Sequence, residues 1–146
     1  MPVLAAPKFG AGLVFGMVGD NNLVEIETCA KDAHHLIPVI EQALKDFESG
    51  LISHAVIELY ELIKELKTTV TDCKHMSDDI TRIEDWAQIF QDKAKLVAIA
   101  TKNFALHKKA VKADIADAKA AWALGEYFSA GVTCADIVDK VVGPIK

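Results

Sequence analysis

Two amphipathic helices joined by a tight turn are predicted by residues 36–70, which read LIPVIEQALKDFESGLISHAVIELYELIKELKTTV. Apolar residues recur every three or four positions on both sides of Ser49-Gly50, which is the period of a helix with one buried face. Glycine adopts without strain the left-handed conformation that ends many helices, so we expect the chain to turn back at Gly50. The stretch therefore predicts an antiparallel helical hairpin. Its apolar positions are Leu36, Ile37, Ile40, Ala43, Leu44 and Phe47, then Val56, Leu59, Ile63, Leu66 and Val70.

Both helices of this hairpin extend beyond the quoted stretch. The first is predicted over about residues 23–48, and Pro38 should kink or split it because proline lacks a backbone N–H. The second is predicted over about residues 52–72. A third helix should open at Ser77-Asp78-Asp79, whose side chains are good helix caps.

The second half of the chain needs a break that no glycine or proline marks. Residues 78–124 contain neither residue type, and one straight helix of that length would be about 70 Å long, too long for a small domain. We predict a break near residues 91–93, with Asp92 as the cap of a fourth helix that ends at Gly125. A fifth helix is predicted over about residues 127–142, with a possible interruption at Gly131.

A second hairpin is predicted because the pattern of the first recurs 75 residues further along the chain. Ile40, Ala43, Phe47, Gly50, Ala55 and Ile63 correspond to Ile115, Ala118, Trp122, Gly125, Ala130 and Val138. The hairpins span about residues 23–72 and 93–142; they are either related copies or two hairpins that share a common pattern. The sequence thus predicts an all-α fold, a helical bundle of about five helices built from two related antiparallel hairpins, with an N-terminal apolar arm over residues 1–19 and a single bundle domain over residues 20–146.

A disulfide between Cys29 and Cys73 is predicted from symmetry about the first turn. The two cysteines lie 44 residues apart, with their midpoint at position 51, beside Gly50. Residues equidistant from the turn of an antiparallel hairpin lie at the same height, so the two sulfurs would meet at its open end. Such a bridge would stabilise the fold by roughly 4 kcal/mol. The alternative is two free buried cysteines.

The third cysteine, Cys134, has no partner in this scheme. It is either buried and inert or available for a bond to another chain, which would make it an assembly contact. A Cys29–Cys73 disulfide implies an oxidising compartment. We therefore expect a secreted, extracellular protein. Residues 1–6 lack the charged and apolar regions of a signal peptide, so we expect that a leader was removed or that the numbering begins near a mature N-terminus.

The apolar arm is the candidate assembly segment. Its glycines would allow close approach to another backbone. It either covers its own bundle as a short helix or docks into a neighbouring subunit. The candidate assembly residues are Phe9, Leu13, Val14, Phe15, Met17 and Val18.

No pattern of residues predicts an enzyme. His54 and Glu58 are spaced to share an ion on one helix, and His34, His35 and His75 could converge near the open end of the first hairpin, but helical metal sites need several such ligand pairs. No nucleophile elbow and no phosphate loop in a strand–helix context occur. We therefore expect no catalytic residues, no metal and no cofactor.

Charge and hydropathy exclude two further classes. The net charge of −5 is unfavourable for a nucleic-acid surface, which needs a basic patch. The densest basic stretch, residues 102–112, is interpreted as a solvated helix face, with an anion site as the alternative. No apolar run approaches the roughly 20 residues of a transmembrane helix.

Several motifs together resemble those of a poorly characterised group of secreted helical proteins of ciliates and related protists. They are a Gly/Phe-rich start at residues 9–19, Asp20-Asn21, the Ile-Glu-x-Cys segment at residues 26–29, Asp72-Cys73, the Gly-x-Tyr-Phe-x-x-Gly segment at residues 125–131, and Val-Gly-Pro at residues 142–144. The resemblance spans most of the chain and implies secretion and the pairing of Cys29 with Cys73. It implies no activity and no catalytic residues.

The favoured function is a non-enzymatic, secreted structural or self-assembling subunit of an extracellular filament or matrix, present as a homo-oligomer or polymer. The alternative is a helical binding module that holds a lipid or another apolar ligand between alanine-rich helices. A metalloenzyme is the third and least favoured hypothesis.

Overall fold

A computed structural model of the chain describes residues 5–19, 36–69, 81–83, 85, 88 and 92–143. These residues are helical apart from turns and short connections, which confirms the predicted all-α fold class. Residues 81–83 are also helical. The longer helices are α1 (Ala5–Val18), α2 (Ile37–Glu48), α3 (Ile52–Thr69), α4 (Lys93–Ala123) and α5 (Tyr127–Val141).

The first hairpin turns at Gly50, as predicted. Gly50 has a φ of 83°, and its N–H donates to the carbonyl oxygen of Phe47 at 3.1 Å. The N–H of Leu51 donates to the carbonyl oxygen of Asp46 at 2.8 Å. These two bonds form a Schellman motif, which satisfies carbonyl groups that the end of α2 would otherwise leave free.

The second hairpin turns at Gly125 with the same geometry. Its φ is 81°, its N–H donates to Trp122 at 3.2 Å, and the N–H of Glu126 donates to Ala121 at 2.8 Å. Each of these residues lies 75 positions after its counterpart in the first turn. The recurrence seen in the sequence therefore extends to the hydrogen bonds of the turn.

Pro38 lies in the first turn of α2, which begins at Ile37 with Leu36 as its N-cap. Within the described residues, the predicted helix over residues 23–48 thus begins one residue before Pro38. Proline is tolerated in the first turn of a helix because the N–H it lacks has no acceptor there. Residues 23–35 lie outside the described part of the chain.

Helix α4 confirms the predicted break near residues 91–93. Asp92 is its N-cap, and the carboxylate of Asp92 accepts a hydrogen bond from the backbone N–H of Lys95 at 3.0 Å. The 31 residues of α4 span about 46 Å. His107 bends the helix, with a φ of −119° and a ψ of 21°.

Helix α5 runs from Tyr127 to Val141 without a break, so the possible interruption at Gly131 was wrong. Gly131 lies where α1 and α5 cross. A Cβ atom added there would lie 2.0 Å from the carbonyl oxygen of Phe9, and one at Gly12 would lie 2.0 Å from that of Phe128. Glycine is required at both positions because any side chain would hold the two backbones apart.

The apolar arm of the sequence is helix α1, which packs most extensively against α5. It is apolar almost all round and largely buried, as expected of a helix at the centre of a bundle. The core joins α1 to both hairpins. Its largest fully buried side chains are Phe9, Leu13, Leu36, Ile40, Phe47, Leu59 and Leu62.

Candidate functional site

A groove with an apolar floor lies where α2 of the first hairpin contacts α4 of the second. Its larger cavity has a volume of about 460 Å³. The buried side chains of Phe47 and Ile115 and the half-buried ring of Phe104 line it. Its other lining residues are Glu48, Gly50, Lys112, Ala116 and Lys119. The cavity thus combines an apolar surface with charged groups at its edge.

A second cavity of about 310 Å³ adjoins the first along the same two helices. Leu44 and Trp122 provide buried apolar surface there. Its remaining lining residues are Glu41, Lys45, Glu48, Lys119 and Ala123. Both cavities are lined by Glu48 and Lys119, and we call the two cavities together the α2–α4 groove.

An ion pair between Lys119 of α4 and Glu48 of α2 crosses this groove. The side chains of Lys119 and Glu48 are 42% and 56% exposed. Exposed ion pairs contribute only about 0–1 kcal/mol, because water screens the charges and two flexible side chains must be ordered. The pair is therefore easy to open.

Trp122 connects the groove to the centre of the bundle. Its ring makes edge contacts with Phe9 of α1, at a centroid distance of 5.7 Å, and with Tyr127 of α5, at 5.1 Å. Its indole N–H is buried and has no hydrogen-bond partner among the described residues. Aromatic pairs of this geometry add to the stability gained from burial alone, so α1, α4 and α5 are held together beneath the second cavity.

A pair of carboxyl groups links α2 to α3 beside the first turn. Asp46 is buried and accepts a hydrogen bond from the side chain of Gln42 at 2.8 Å. The pKa of Glu58 is raised from 4.5 to about 7, chiefly by burial and also by the hydrogen bond to Asp46 and the repulsion from the charge of Asp46. Glu58 is therefore partly protonated at neutral pH, which allows two acids to lie together.

A second group of acids lies between α4 and α5. Burial raises the pKa of Asp139 to about 6, with repulsion from Asp136 as the smaller cause. The pKa of Asp136 is also raised by burial and by Asp114, while Lys140 opposes this shift. Lys140 forms an ion pair with Asp114. Among the described residues, Lys140 is the cation that interacts with this group, and it neutralises the group only in part.

The candidate assembly residues lie on α1 within the bundle of their own chain. Phe15 is 36% exposed and contacts the ring of Phe128 at a centroid distance of 5.7 Å; Val18 is half-buried. The other four are buried: Phe9, Leu13, Val14 and Met17. Of the six residues, Phe15 therefore presents the most surface to a neighbouring molecule.

Two of the three cysteines, Cys29 and Cys73, lie outside the described residues. Cys134 is fully buried, and burial raises the pKa of its thiol well above the ordinary value, with the charge of Asp114 as a further cause. Of the two alternatives for Cys134, this burial fits the one in which the thiol is buried and inert. A bond from it to another chain would require the bundle to open.

Of the histidines considered as metal ligands, the structure describes only His54. His54 is exposed, while Glu58 interacts with Asp46 instead. His34, His35 and His75 lie outside the described residues. Among the described residues no group of three or more His, Cys, Asp or Glu side chains is arranged to hold a metal ion. Across the same residues, no helix combines the length and apolar character that a membrane crossing needs.

No pattern in the sequence predicts the α2–α4 groove. Lys112 was assigned to a solvated helix face, and it is indeed exposed, but it also lines the larger cavity. The groove residues contributed by α2 and its turn lie more than 50 positions before those contributed by α4, so no local pattern could predict that the two sets meet. A signal was present for the crossing of α1 and α5, because Gly12 and Gly16 have the four-residue spacing of close helix contacts.

The fold and the groove define a class: small helical-bundle proteins with an amphipathic surface groove. The model of the SctB-like family, described as secreted protein B-like, matches residues 4–142. The chain belongs to this family of secreted proteins. The match supports the secreted character that the resemblance implied and carries no information about ciliates or protists. No curated protein and no solved structure matches the chain.

Proposed function

We propose that this protein is a secreted, non-enzymatic binding module that holds an apolar ligand in the α2–α4 groove. The observation that carries the proposal is the larger cavity, whose floor is formed by Phe47, Phe104 and Ile115. Its volume of about 460 Å³ is within the range of about 300–1,000 Å³ for small-molecule sites. An apolar ligand would gain roughly 25 cal/mol for each Å² of apolar surface removed from water.

The geometry favours ligand binding over self-assembly, the function we favoured from the sequence. The self-assembly hypothesis relied on the apolar arm and on Cys134. Most of the arm's side chains and the thiol of Cys134 are buried within their own chain. The groove, by contrast, is open at the surface between two helices.

Filling the larger cavity tests the proposal. Ala116→Trp places a large ring into the cavity from an exposed position on α4. The matched control is Ala113→Trp, exposed on the same helix but outside the cavity lining. Binding is measured by the fluorescence of a neutral naphthylamine dye. We expect Ala116→Trp to abolish dye binding and Ala113→Trp to retain it; equal binding by both variants would contradict the proposal.

Self-assembly is a second candidate function, favoured by the aromatic pair of the exposed Phe15 and the half-buried Phe128. Two such pairs could stack between subunits of an extracellular filament or matrix. Phe15→Ser should then lower the average mass measured by light scattering at high protein concentration. A strictly monomeric wild-type protein would eliminate this candidate.

We also propose that a disulfide between Cys29 and Cys73 closes the first hairpin. It is supported by the turn at Gly50, which lies beside the midpoint of the two cysteines in the chain. Mass spectrometry of unreduced peptides should find the two cysteines linked and Cys134 as a free thiol. Free thiols at both Cys29 and Cys73 in native material would refute the pairing.

A further inference from the structure

We infer that the ligand of the α2–α4 groove is a free, single-chain amphiphile with an anionic head, such as a fatty acid. Its head would bind Lys112 and Lys119, and its chain would lie on the apolar floor. This inference rests on the proposed function and adds to it the chemical class of the ligand.

The charges around the larger cavity favour an anion. Two lysines, Lys112 and Lys119, and one acid, Glu48, line it, so its charged groups sum to a positive charge. The whole chain, by contrast, carries a net charge of −5. Lys112 forms no ion pair with any described residue. An anionic head could therefore bind Lys112 without displacing another carboxylate.

Glu48 is an internal competitor for the second lysine. Its carboxylate already binds Lys119, in the position that an anionic head would take. The Lys119–Glu48 pair is largely exposed, so water solvates the released carboxylate of Glu48 when the pair opens. The anionic head of the ligand then takes the place of that carboxylate at Lys119. A carboxylate or phosphate head forms the same kind of charge-assisted hydrogen bond with an ammonium group.

The second cavity gives the chain of the ligand a continuation. Glu48 and Lys119 line both cavities, so an opened ion pair would connect them. Beyond the pair, Leu44 and Trp122 offer further buried apolar surface. The ligand is thus expected to be long and narrow rather than compact, which fits one acyl chain better than a double-chained lipid.

The inference is tested by titration calorimetry of the full chain with ligands of the same chain length and different heads. The probes are laurate and dodecyltrimethylammonium, each below its micelle concentration, and dodecanol below its solubility limit. We expect laurate to bind about tenfold more tightly than dodecanol. One charge-assisted hydrogen bond between the laurate carboxylate and a lysine ammonium group is enough for a tenfold difference in Kd. The cationic probe should bind most weakly.

Variants identify the groups that bind the head. Lys112→Gln and Lys119→Gln should each weaken laurate about fivefold and leave dodecanol unchanged. Glu48→Gln should strengthen laurate about threefold, because it removes the competing carboxylate. Lys109→Gln is the matched control, since Lys109 is exposed on α4 and does not line the groove.

The outcomes separate this inference from the proposed function. If laurate and dodecanol bind equally and the lysine variants change neither, the anionic head is refuted while the apolar groove stands. If none of the three probes binds, the proposed function itself fails. An equal effect of Lys109→Gln would indicate nonspecific attraction and overturn the site. Vesicles of phosphatidylcholine and phosphatidylglycerol should not bind; binding to these vesicles without binding of monomeric laurate would overturn the free amphiphile in favour of a membrane surface.

Discussion

Gly131→Ala is the substitution that most directly tests the crossing of α1 and α5. At an exposed helix position, alanine is more favourable than glycine by about 1 kcal/mol. At residue 131, however, the added Cβ atom would lie 2.0 Å from the carbonyl oxygen of Phe9 and 2.7 Å from the N atom of Leu13. Both contacts are with backbone atoms, which cannot rotate away as a side chain can.

The cost follows from the distance that the helices must move. An ordinary contact begins at 3.4 Å, and the new methyl group would lie only 2.0 Å from α1, so the two helices must move apart by about 1.4 Å. Moving α1 away from α5 loosens the packing around Phe9, including the edge contact of its ring with Trp122. Overpacking of this kind costs about 1–3 kcal/mol. Because the clash is with backbone atoms, we take the upper end of this range, about 3 kcal/mol, which the helix preference of alanine offsets by about 1 kcal/mol. We therefore expect a net loss of about 2 kcal/mol, equivalent to a fall in Tm of about 6 °C for a chain of this size.

The measurement is urea unfolding followed by far-UV circular dichroism, with Tm from a thermal scan. Ser129→Ala is the matched control, since Ser129 is exposed on the same helix, and its stability should change by less than about 0.5 kcal/mol. Gly12→Ala should push the same two helices apart, because its Cβ atom on α1 would lie 2.0 Å from the carbonyl oxygen of Phe128 on α5. The double variant should therefore lose less than the sum of the two single variants. A Gly131→Ala protein as stable as the wild type would refute the close crossing of the two backbones.

Three further predictions concern the turn, the acid pair and the buried thiol. Gly50→Ala should cost about 1–2 kcal/mol in urea unfolding, because its φ of 83° is strained for alanine; a change below about 0.3 kcal/mol would contradict the turn. The wild type should lose stability as pH rises from 4.5 to 7, because the folded pKa of Glu58 lies above its ordinary value, and protonation therefore favours the folded state. Glu58→Gln should lose less stability than the wild type over this range, by on the order of 1 kcal/mol after allowing for solvent screening, while the loss due to the raised pKa of Asp139 remains. Identical pH profiles of the two proteins would exclude the Glu58–Asp46 pair as a cause. Cys134 should not react with an aromatic disulfide reagent in the native protein and should react fully in denaturant, so rapid native labelling of this residue would argue against its burial.

Local features of the sequence were sufficient for the fold class and most helix boundaries. The turn glycines Gly50 and Gly125, the cap at Asp92 and the helical period of the apolar residues all act within a few positions along the chain. Pro38 was harder to interpret, because proline can either kink a helix or begin one. The candidate site was harder still, because nothing local marks which helix faces will meet.

What the amino-acid sequence determined by itself is the helices of the two hairpins, the turns that join them and the apolar face that each helix must bury. These depend on short-range hydrogen bonds and on periodicity, both of which can be read from neighbouring residues. Only the tertiary structure decided that α1 crosses α5 at Gly12 and Gly131 and that Glu48 meets Lys119 across a groove. The physical reason is that these contacts join segments distant in the chain, and they depend on how whole helices pack in three dimensions.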